Sequence, residues 1–148
     1  MENIGYLLMR VSKELKYALS KELIIYELTT SQWAVLKQLE IEEDCNAPLS
    51  KRTAVEIAAK LDFDKPTISG IINRLYEKGM VRKDRHPNDN RATILYLTPK
   101  AKELIPILET VSNTVIDDTL TNFSNEEKEL FLNLLNKMDR SFNRRENR

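Results

Sequence analysis

The feature that most constrains this chain is a change of hydrophobic period after Gly79. Residues 64–78 carry apolar side chains at helical spacing, whereas Met80–Lys83 and Thr93–Leu97 are short segments that contain β-branched and aromatic residues. Between these segments lies a charged stretch with a His-Pro and an Asn-Asp-Asn run. The pattern predicts an antiparallel β-hairpin with a long charged tip.

Three helices are predicted ahead of this hairpin. Each begins at a residue that commonly caps a helix N-terminus, and the capping residues are Thr29, Thr53 and Asp64. The second helix starts at Ala54 and the third ends where Gly79 can form a left-handed cap, while residues 40–48 are expected to form a connection. Helix, short helix, longer helix and hairpin is the order of a winged helix-turn-helix, so the predicted fold class is mainly α with a small β-hairpin.

Further helices are predicted on both sides of this region. Apolar stripes run through Leu7–Leu19, Leu104–Val115 and Phe131–Phe142. These stripes are too extensive for one small trihelical core to cover, so we expect 1–28 and 99–148 to form a helical dimerisation region around a DNA-binding region at 29–98. A helical bundle closed within one chain is the alternative.

The charges are unevenly distributed. The formal net charge is +0, but residues 51–100 carry 11 Lys or Arg against 6 Asp or Glu, which places the basic part of the chain in the predicted third helix and hairpin. The single cysteine, Cys45, excludes an internal disulfide and multi-cysteine metal sites. Neither a membrane span nor a signal peptide is recognisable, so we expect a cytoplasmic protein.

The helix at 65–78 is the predicted recognition helix. Its apolar residues at 68, 71, 72 and 75 fall on one face. The opposite face offers hydroxyl and amide groups that can reach base edges and cations that can neutralise phosphates, and the predicted DNA-binding residues on it are Lys65, Thr67, Ser69, Asn73 and Arg74. An ordinary solvated helix face is the alternative.

The hairpin adds further cations. Lys83, Arg85 and Arg91 are the predicted DNA-binding residues of the hairpin, and an arginine at its tip can enter a narrow minor groove. An ion pair within the loop is the alternative for Arg91. His86 has no second histidine and no cysteine within motif spacing, so we interpret it as a loop residue and not as a metal ligand.

Three segments together resemble the MarR (multiple antibiotic resistance regulator) family of winged-helix transcription factors. They are LTTSQWAVLKQL, TAVEIAAKLDFDKPTISGIINRLYEKGMVRK and DNRATILYLTPKAKEL, in this order and spacing. The resemblance covers roughly residues 28–105, and its most specific element is Asp89-x-Arg91 ahead of a strand that ends in Leu97-Thr98. It implies that Asp89 braces the wing while Arg91 enters the minor groove.

The resemblance also implies a homodimer and a ligand. Family members commonly sense small aromatic compounds or oxidants near the junction of the dimer helices with the DNA-binding lobe. Tyr17, Tyr26 and Trp33 are the candidates to line such a pocket, although aromatic residues at helical spacing also occur in cores. Cys45 is flanked by carboxylates that disfavour a reactive thiolate, so an inert role is preferred to an oxidation sensor.

The predicted function is therefore a homodimeric, sequence-specific regulator of transcription. We expect a repressor that binds pseudo-palindromic double-stranded DNA, needs no cofactor and is released by a small-molecule effector. A winged-helix module for protein–protein contact is the alternative. An enzyme is not expected, because phosphate-binding, dinucleotide-binding and zinc-protease motifs are all missing from the sequence.

Overall fold

The computed structural model describes residues 3–146, with side chains as far as residue 142. In that part of the chain the main elements are α1 (Ile4–Leu23), α2 (Thr30–Asp44), α3 (Ala54–Leu61), α4 (Lys65–Glu77), β1 (Val81–His86), β2 (Asp89–Leu97), α5 (Pro99–Thr119) and α6 (Asn125–Glu146). Short 3-10 turns occupy Ile24–Tyr26 and Leu49–Arg52. The chain divides after Asn113 into two compact units, and the element order confirms the predicted mainly α fold with a β-hairpin.

The helices begin where the sequence provides capping side chains. Thr29 Oγ1 accepts a hydrogen bond from Gln32 N at 3.1 Å, and Gln32 Oε1 accepts one from Thr29 N at 3.2 Å. Thr53 Oγ1 accepts from Glu56 N at 3.2 Å, and Asp64 Oδ1 accepts from Thr67 N at 2.8 Å. These bonds satisfy backbone N–H groups that a helix leaves unpaired at its start.

Helix α2 is longer than the sequence predicted. It continues through residues 40–44, which were expected to belong to a connection, and ends at Asp44. The prediction was wrong because this acidic run contains no Gly or Pro and glutamate is a good helix former. A hydrogen bond of 2.7 Å from Gln38 Nε2 to Glu42 Oε1, one turn apart, lies along the extension.

The core of the first unit is assembled around α4. Ile68, Ile71, Ile72 and Leu75 are all buried, as their spacing predicted. They belong to one apolar cluster with residues of every other main element of this unit, among them Leu23, Leu36, Ile57, Leu95 and Ile105. Because α1 and α5 also contribute to this cluster, the proposed boundary between a dimerisation region and residues 29–98 stays a prediction.

The junction between α4 and β1 is tightly bonded. Gly79 adopts φ +71°, a conformation that side-chain-bearing residues rarely adopt, and Met80 N donates to Leu75 O at 2.9 Å. The start of α5 closes the junction from the other side, since Thr98 Oγ1 donates to Gly79 O at 2.6 Å and Thr98 N donates to Met80 O at 3.1 Å. The hairpin therefore leaves the helix in a defined direction.

The hairpin is more regular than a long loop. β1 runs as far as His86 and β2 begins at Asp89, so only residues 87 and 88 form the turn. The prediction that His86 is a loop residue was wrong, because His86 pairs with Asp89 at the end of the ladder. The register shifts between Arg85, which pairs with Thr93, and His86, and this leaves residues 90–92 as a bulge on β2.

Two helices present apolar side chains to solvent. On α1, Ile4, Leu7, Met9 and Val11 are exposed, and on α6 the exposed apolar residues are Leu130, Phe131, Leu132, Leu134, Leu135, Met138 and Phe142. Exposed apolar surface of this extent is typical of interaction surfaces. Within residues 3–146 no helix has the length and apolar character needed to span a membrane.

The cap of α4 predicts a pH dependence of stability. The hydroxyl and the N–H of Thr67 hydrogen-bond the Asp64 carboxylate and hold the pKa of that carboxyl below its usual value of 3.8. A depressed pKa in the folded state gives stability that is fully present above the unfolded pKa and is lost as pH falls through the folded pKa. We expect Asp64→Asn, which keeps a capping oxygen but does not titrate, to lack this contribution.

The measurement is urea unfolding of both proteins from pH 6 to pH 2. All other carboxylates are common to the two chains, so the difference in their free energies of unfolding isolates Asp64. This difference should be constant above about pH 5 and should shift toward the Asn variant below the usual carboxyl pKa. A pH-independent difference would contradict the assigned hydrogen bonds.

Candidate nucleic-acid interface

Helix α4 presents one polar face to solvent. Every predicted DNA-binding residue on this helix is exposed, namely Lys65, Thr67, Ser69, Asn73 and Arg74. The face results directly from the burial of the four apolar residues on the opposite side. The helix can therefore approach a large ligand without disturbing the core.

Four cations on α4 and the hairpin form neither an ion pair nor a contact with an aromatic ring among the described residues. In the part of the chain that the structure describes, the ion pairs involve Lys37, Arg82 and Lys102. Lys65, Arg74, Arg85 and Arg91 are exposed and take no part in them. Unpaired cations gathered in two neighbouring elements are suited to a polyanion.

Lys83 connects the hairpin to α4. Its Nζ lies 3.2 Å from Asn73 Oδ1 and 4.5 Å from the centre of the Tyr76 ring. The ammonium therefore donates to an amide oxygen while it lies over an aromatic face. This arrangement fixes Asn73 by its oxygen and leaves its amide N–H groups available as donors.

Arg91 lies in the bulge of β2. Its backbone N donates to Asp89 Oδ1 at 3.0 Å, so Asp89 ties the bulge through a local turn. Among the described residues no carboxylate forms an ion pair with the Arg91 guanidinium, and the intraloop ion pair considered from the sequence is not formed. The bulge thus projects a free guanidinium beside α3.

His86 has a structural role in the turn. Its Nδ1 accepts a hydrogen bond from Asn88 N at 3.1 Å. His86 lines a cavity of about 390 Å³ together with Glu56, Asp89 and Arg91. Within the described residues, no group of three His, Cys, Asp or Glu side chains is arranged to hold a metal ion.

Two tyrosines that organise the cations were missed from the sequence. The Lys83 ammonium lies over the ring of Tyr76. The centre of the Tyr96 ring lies 4.6 Å from the Arg82 guanidinium and 5.6 Å from the Arg52 guanidinium. The pair of Arg82 and Tyr96 could have been found from the hairpin register, since the two residues are direct cross-strand partners. Tyr76 gives no comparable signal, because its contact depends on how the hairpin lies against α4.

Lys78 also escaped the sequence prediction. Its Nζ donates to the backbone oxygen of Glu27 and to Gln32 Oε1, and its own carbonyl accepts from Lys100 Nζ at 2.8 Å. Lys78 thereby ties the end of α4 to the turn before α2 and to the start of α5. Contacts between distant segments of this kind have no local sequence pattern.

Comparisons with known proteins agree with this geometry. The sequence model of the MarR family matches residues 28–93. The transcriptional regulator HosA of Escherichia coli O111:H- is 28% identical over 112 residues, which cover 76% of this chain and 78% of HosA. A crystal structure of MarR superimposes with a TM-score of 0.83 at 25% identity and covers 97% of this chain and 99% of MarR.

The chain is similar to the MarR family in the sequence of residues 28–93 and in its fold. Members of this family are transcriptional regulators and not enzymes, as the sequence analysis expected. A complex of Staphylococcus aureus MepR with DNA has the same fold, with a TM-score of 0.76 at 23% identity over 95% of this chain and 99% of MepR.

The aromatic residues predicted to line an effector pocket lie in different surroundings. Trp33 is buried in the core and Tyr26 is half-buried against it. Tyr17 is exposed on α1, with Lys21 Nζ 4.3 Å from the centre of its ring. Their role in effector binding stays a prediction.

The contact of Lys83 with Tyr76 predicts a measurable coupling. In a double-mutant cycle with Lys83→Met and Tyr76→Leu, unfolding free energies should give a coupling of about 0.5–1 kcal/mol, the usual value for an exposed cation over an aromatic ring. The matched cycle with Arg85→Met and Tyr76→Leu should give no coupling, because Arg85 does not contact that ring. Equal coupling in both cycles would show that the effect is a general one of charge.

Proposed function

We propose that this chain binds double-stranded DNA sequence-specifically as a homodimer and represses transcription. In this proposal α4 enters the major groove, and the hairpin lies along the phosphate backbone with Arg91 in the minor groove. The observation that carries it is the set of exposed cations without counterions on α4 and the hairpin, Lys65, Arg74, Arg85 and Arg91. MepR, which has the same fold, forms a complex with DNA, and this supports DNA binding by a chain of this fold.

The surface suits nucleic acid for physical reasons. DNA carries a high density of negative charge, and each phosphate that a cation neutralises releases condensed counterions. Ser69 and Asn73 supply hydroxyl and amide groups on the same face, where they can meet base edges. Cations supply affinity and the polar groups supply sequence preference.

Dimerisation is supported by the uncovered apolar surface of α1 and α6. A second copy of the chain would bury these side chains and would place two α4 helices in a two-fold arrangement. Such a dimer binds an inverted repeat with half-sites about one helical turn apart. We include in the proposal a small aromatic effector, which would release DNA by binding more tightly to a conformer whose α4 helices no longer match this spacing.

The first test is selection of bound duplexes from a random library at stated salt, followed by Arg91→Ala on the selected site. We expect an enriched inverted repeat and an affinity loss of about 1–3 kcal/mol per half-site for the variant, with a smaller dependence on salt, because one cationic contact is removed from each half-site. The matched control is Arg140→Ala, which removes an exposed arginine from α6 and should leave affinity unchanged.

The alternative function predicts a different result. A winged helix used for protein contact would retain no duplex from the library, and Arg91→Ala would have nothing to weaken. Equal losses for Arg91→Ala and Arg140→Ala would mean that only total charge matters, which would contradict insertion of Arg91.

The second test concerns the dimer. Leu134 is 54% exposed on α6, so Leu134→Asp should not disturb the fold of one chain but should place a charge in the proposed interface. Light scattering should show a shift from dimer to monomer, and affinity for the inverted repeat should fall because the two half-sites are no longer bound together. Asn133→Asp, which adds the same charge at the adjacent exposed position, is the control.

Asn133→Asp should leave both readouts close to the wild type if the apolar side of α6 forms the interface. A Leu134→Asp protein that remains dimeric would contradict the proposed interface. A wild-type protein that is monomeric alone and on DNA would contradict dimerisation itself.

A further inference from the structure

Gly70 lies in the middle of the exposed face of α4, and no interaction among the residues that the structure describes accounts for a glycine there. Apart from the neighbouring residues and the helix backbone itself, a Cβ atom added at this position would meet no atom of the described residues within 4 Å. Glycine in a helix interior is less stable than alanine because it loses more backbone freedom on folding. The packing of α4 would therefore accept a larger residue, and the helix would gain stability from it.

The position of Gly70 on the helix is distinctive. With about 100° per residue in an α-helix, Gly70 lies roughly 30° from the line directly opposite the centre of the buried face. Pro66, one turn earlier, lies even closer to this line and has no side-chain hydrogen-bonding group. In the first half of α4, the line that faces directly away from the core is therefore formed by the apolar ring of Pro66 and by Gly70, which has no side chain. Lys65 and Ser69 lie on one side of this line, and Thr67 and Arg74 lie on the other.

A line without hydrogen-bonding side chains limits which chemical groups of a ligand can pack against it. The N–H and C=O groups of a helix interior are already bonded to each other, so Gly70 offers no hydrogen-bonding group to a ligand. In the major groove, the edges of guanine, cytosine and adenine display hydrogen-bond donors and acceptors. These groups lose their hydrogen bonds to water, without replacement, when a surface that has no hydrogen-bonding groups covers them. The C5-methyl group of thymine is the largest group displayed there that needs no hydrogen-bond partner.

We propose that Gly70 is a specificity-determining residue that receives the methyl group of a thymine in each half-site. The inference rests on the proposed DNA binding and adds a base preference to it. The absent side chain lets the α4 backbone approach the base pair closely, while the flanking hydroxyls and cations hold the phosphates and neighbouring base edges. The helix stability that is lost through glycine is then offset only by the free energy of binding in the complex with DNA.

The first part of the test is Gly70→Ala, examined for stability and for binding. The melting temperature should rise by about 2–4 °C, since alanine favours the helix and nothing obstructs its methyl group. Affinity for the selected duplex should fall about tenfold or more, because two methyl groups compete for one space. Opposite signs in the two measurements distinguish a contact with DNA from a role in folding.

The second part removes the methyl group from the DNA. Deoxyuridine replaces each thymine of the selected duplex in turn, symmetrically in both half-sites. At one position per half-site the wild type should lose roughly fourfold in affinity for each methyl group removed, which is about fifteenfold for the two half-sites together, and there the disadvantage of Gly70→Ala should largely disappear. Ser69→Ala, which shortens a neighbouring exposed side chain, should instead show the same ratio to wild type on every duplex.

The outcomes separate the inference from the function on which it rests. A wild type that binds the selected duplex while Gly70→Ala binds it equally well, or while no deoxyuridine position matters, overturns the inference and leaves the proposed function intact. A wild-type protein that retains no duplex from the library contradicts both the inference and the proposed function. A stabilised Gly70→Ala protein whose binding recovers at one deoxyuridine position supports both.

Discussion

The burial of one face of α4 is the constraint on which the rest of the first unit depends. Four branched aliphatic side chains of this helix enter a cluster to which helices and strands from both sides of the sequence contribute. Because these side chains set the rotation of the helix about its own axis, they also decide which residues face outward. The polar face is thus a consequence of core packing, and a shift of one residue in the apolar spacing would bury it.

The orientation of the hairpin follows from a second set of bonds. The left-handed Gly79 ends the helix, and the backbone of Met80 and the side chain of Thr98 hold the strands immediately beyond it. Little freedom remains between the helix and the wing, and Lys83 adds a side-chain connection across the same corner. The two DNA-reading elements that we propose are therefore joined by backbone and side-chain hydrogen bonds at this corner.

Much of this organisation was predictable because it depends on local patterns. Capping residues at Thr29, Thr53 and Asp64 and the period of apolar residues defined the helices and the exposed face of α4, and the resemblance to the MarR family was correct. The end of α2 was missed because no breaking residue marks it, and the hairpin turn because polar residues in a β-ladder resemble a loop. The contacts of Lys78, Lys83 and Tyr76 depend on tertiary packing, so no spacing in the sequence could reveal them.

The contact of Lys83 with Asn73 and Tyr76 also has a consequence for the thermodynamics of association. A lysine side chain that already contacts an amide oxygen and an aromatic ring would give up less rotamer entropy when a phosphate arrives than a guanidinium without such contacts, which loses about 0.5–1.5 kcal/mol on being immobilised. Within the hairpin, the ordering cost of complex formation would then fall mainly on Arg85 and Arg91. Affinity would be adjusted there by the stiffness of a few torsion angles, without any change to the charge that the protein presents.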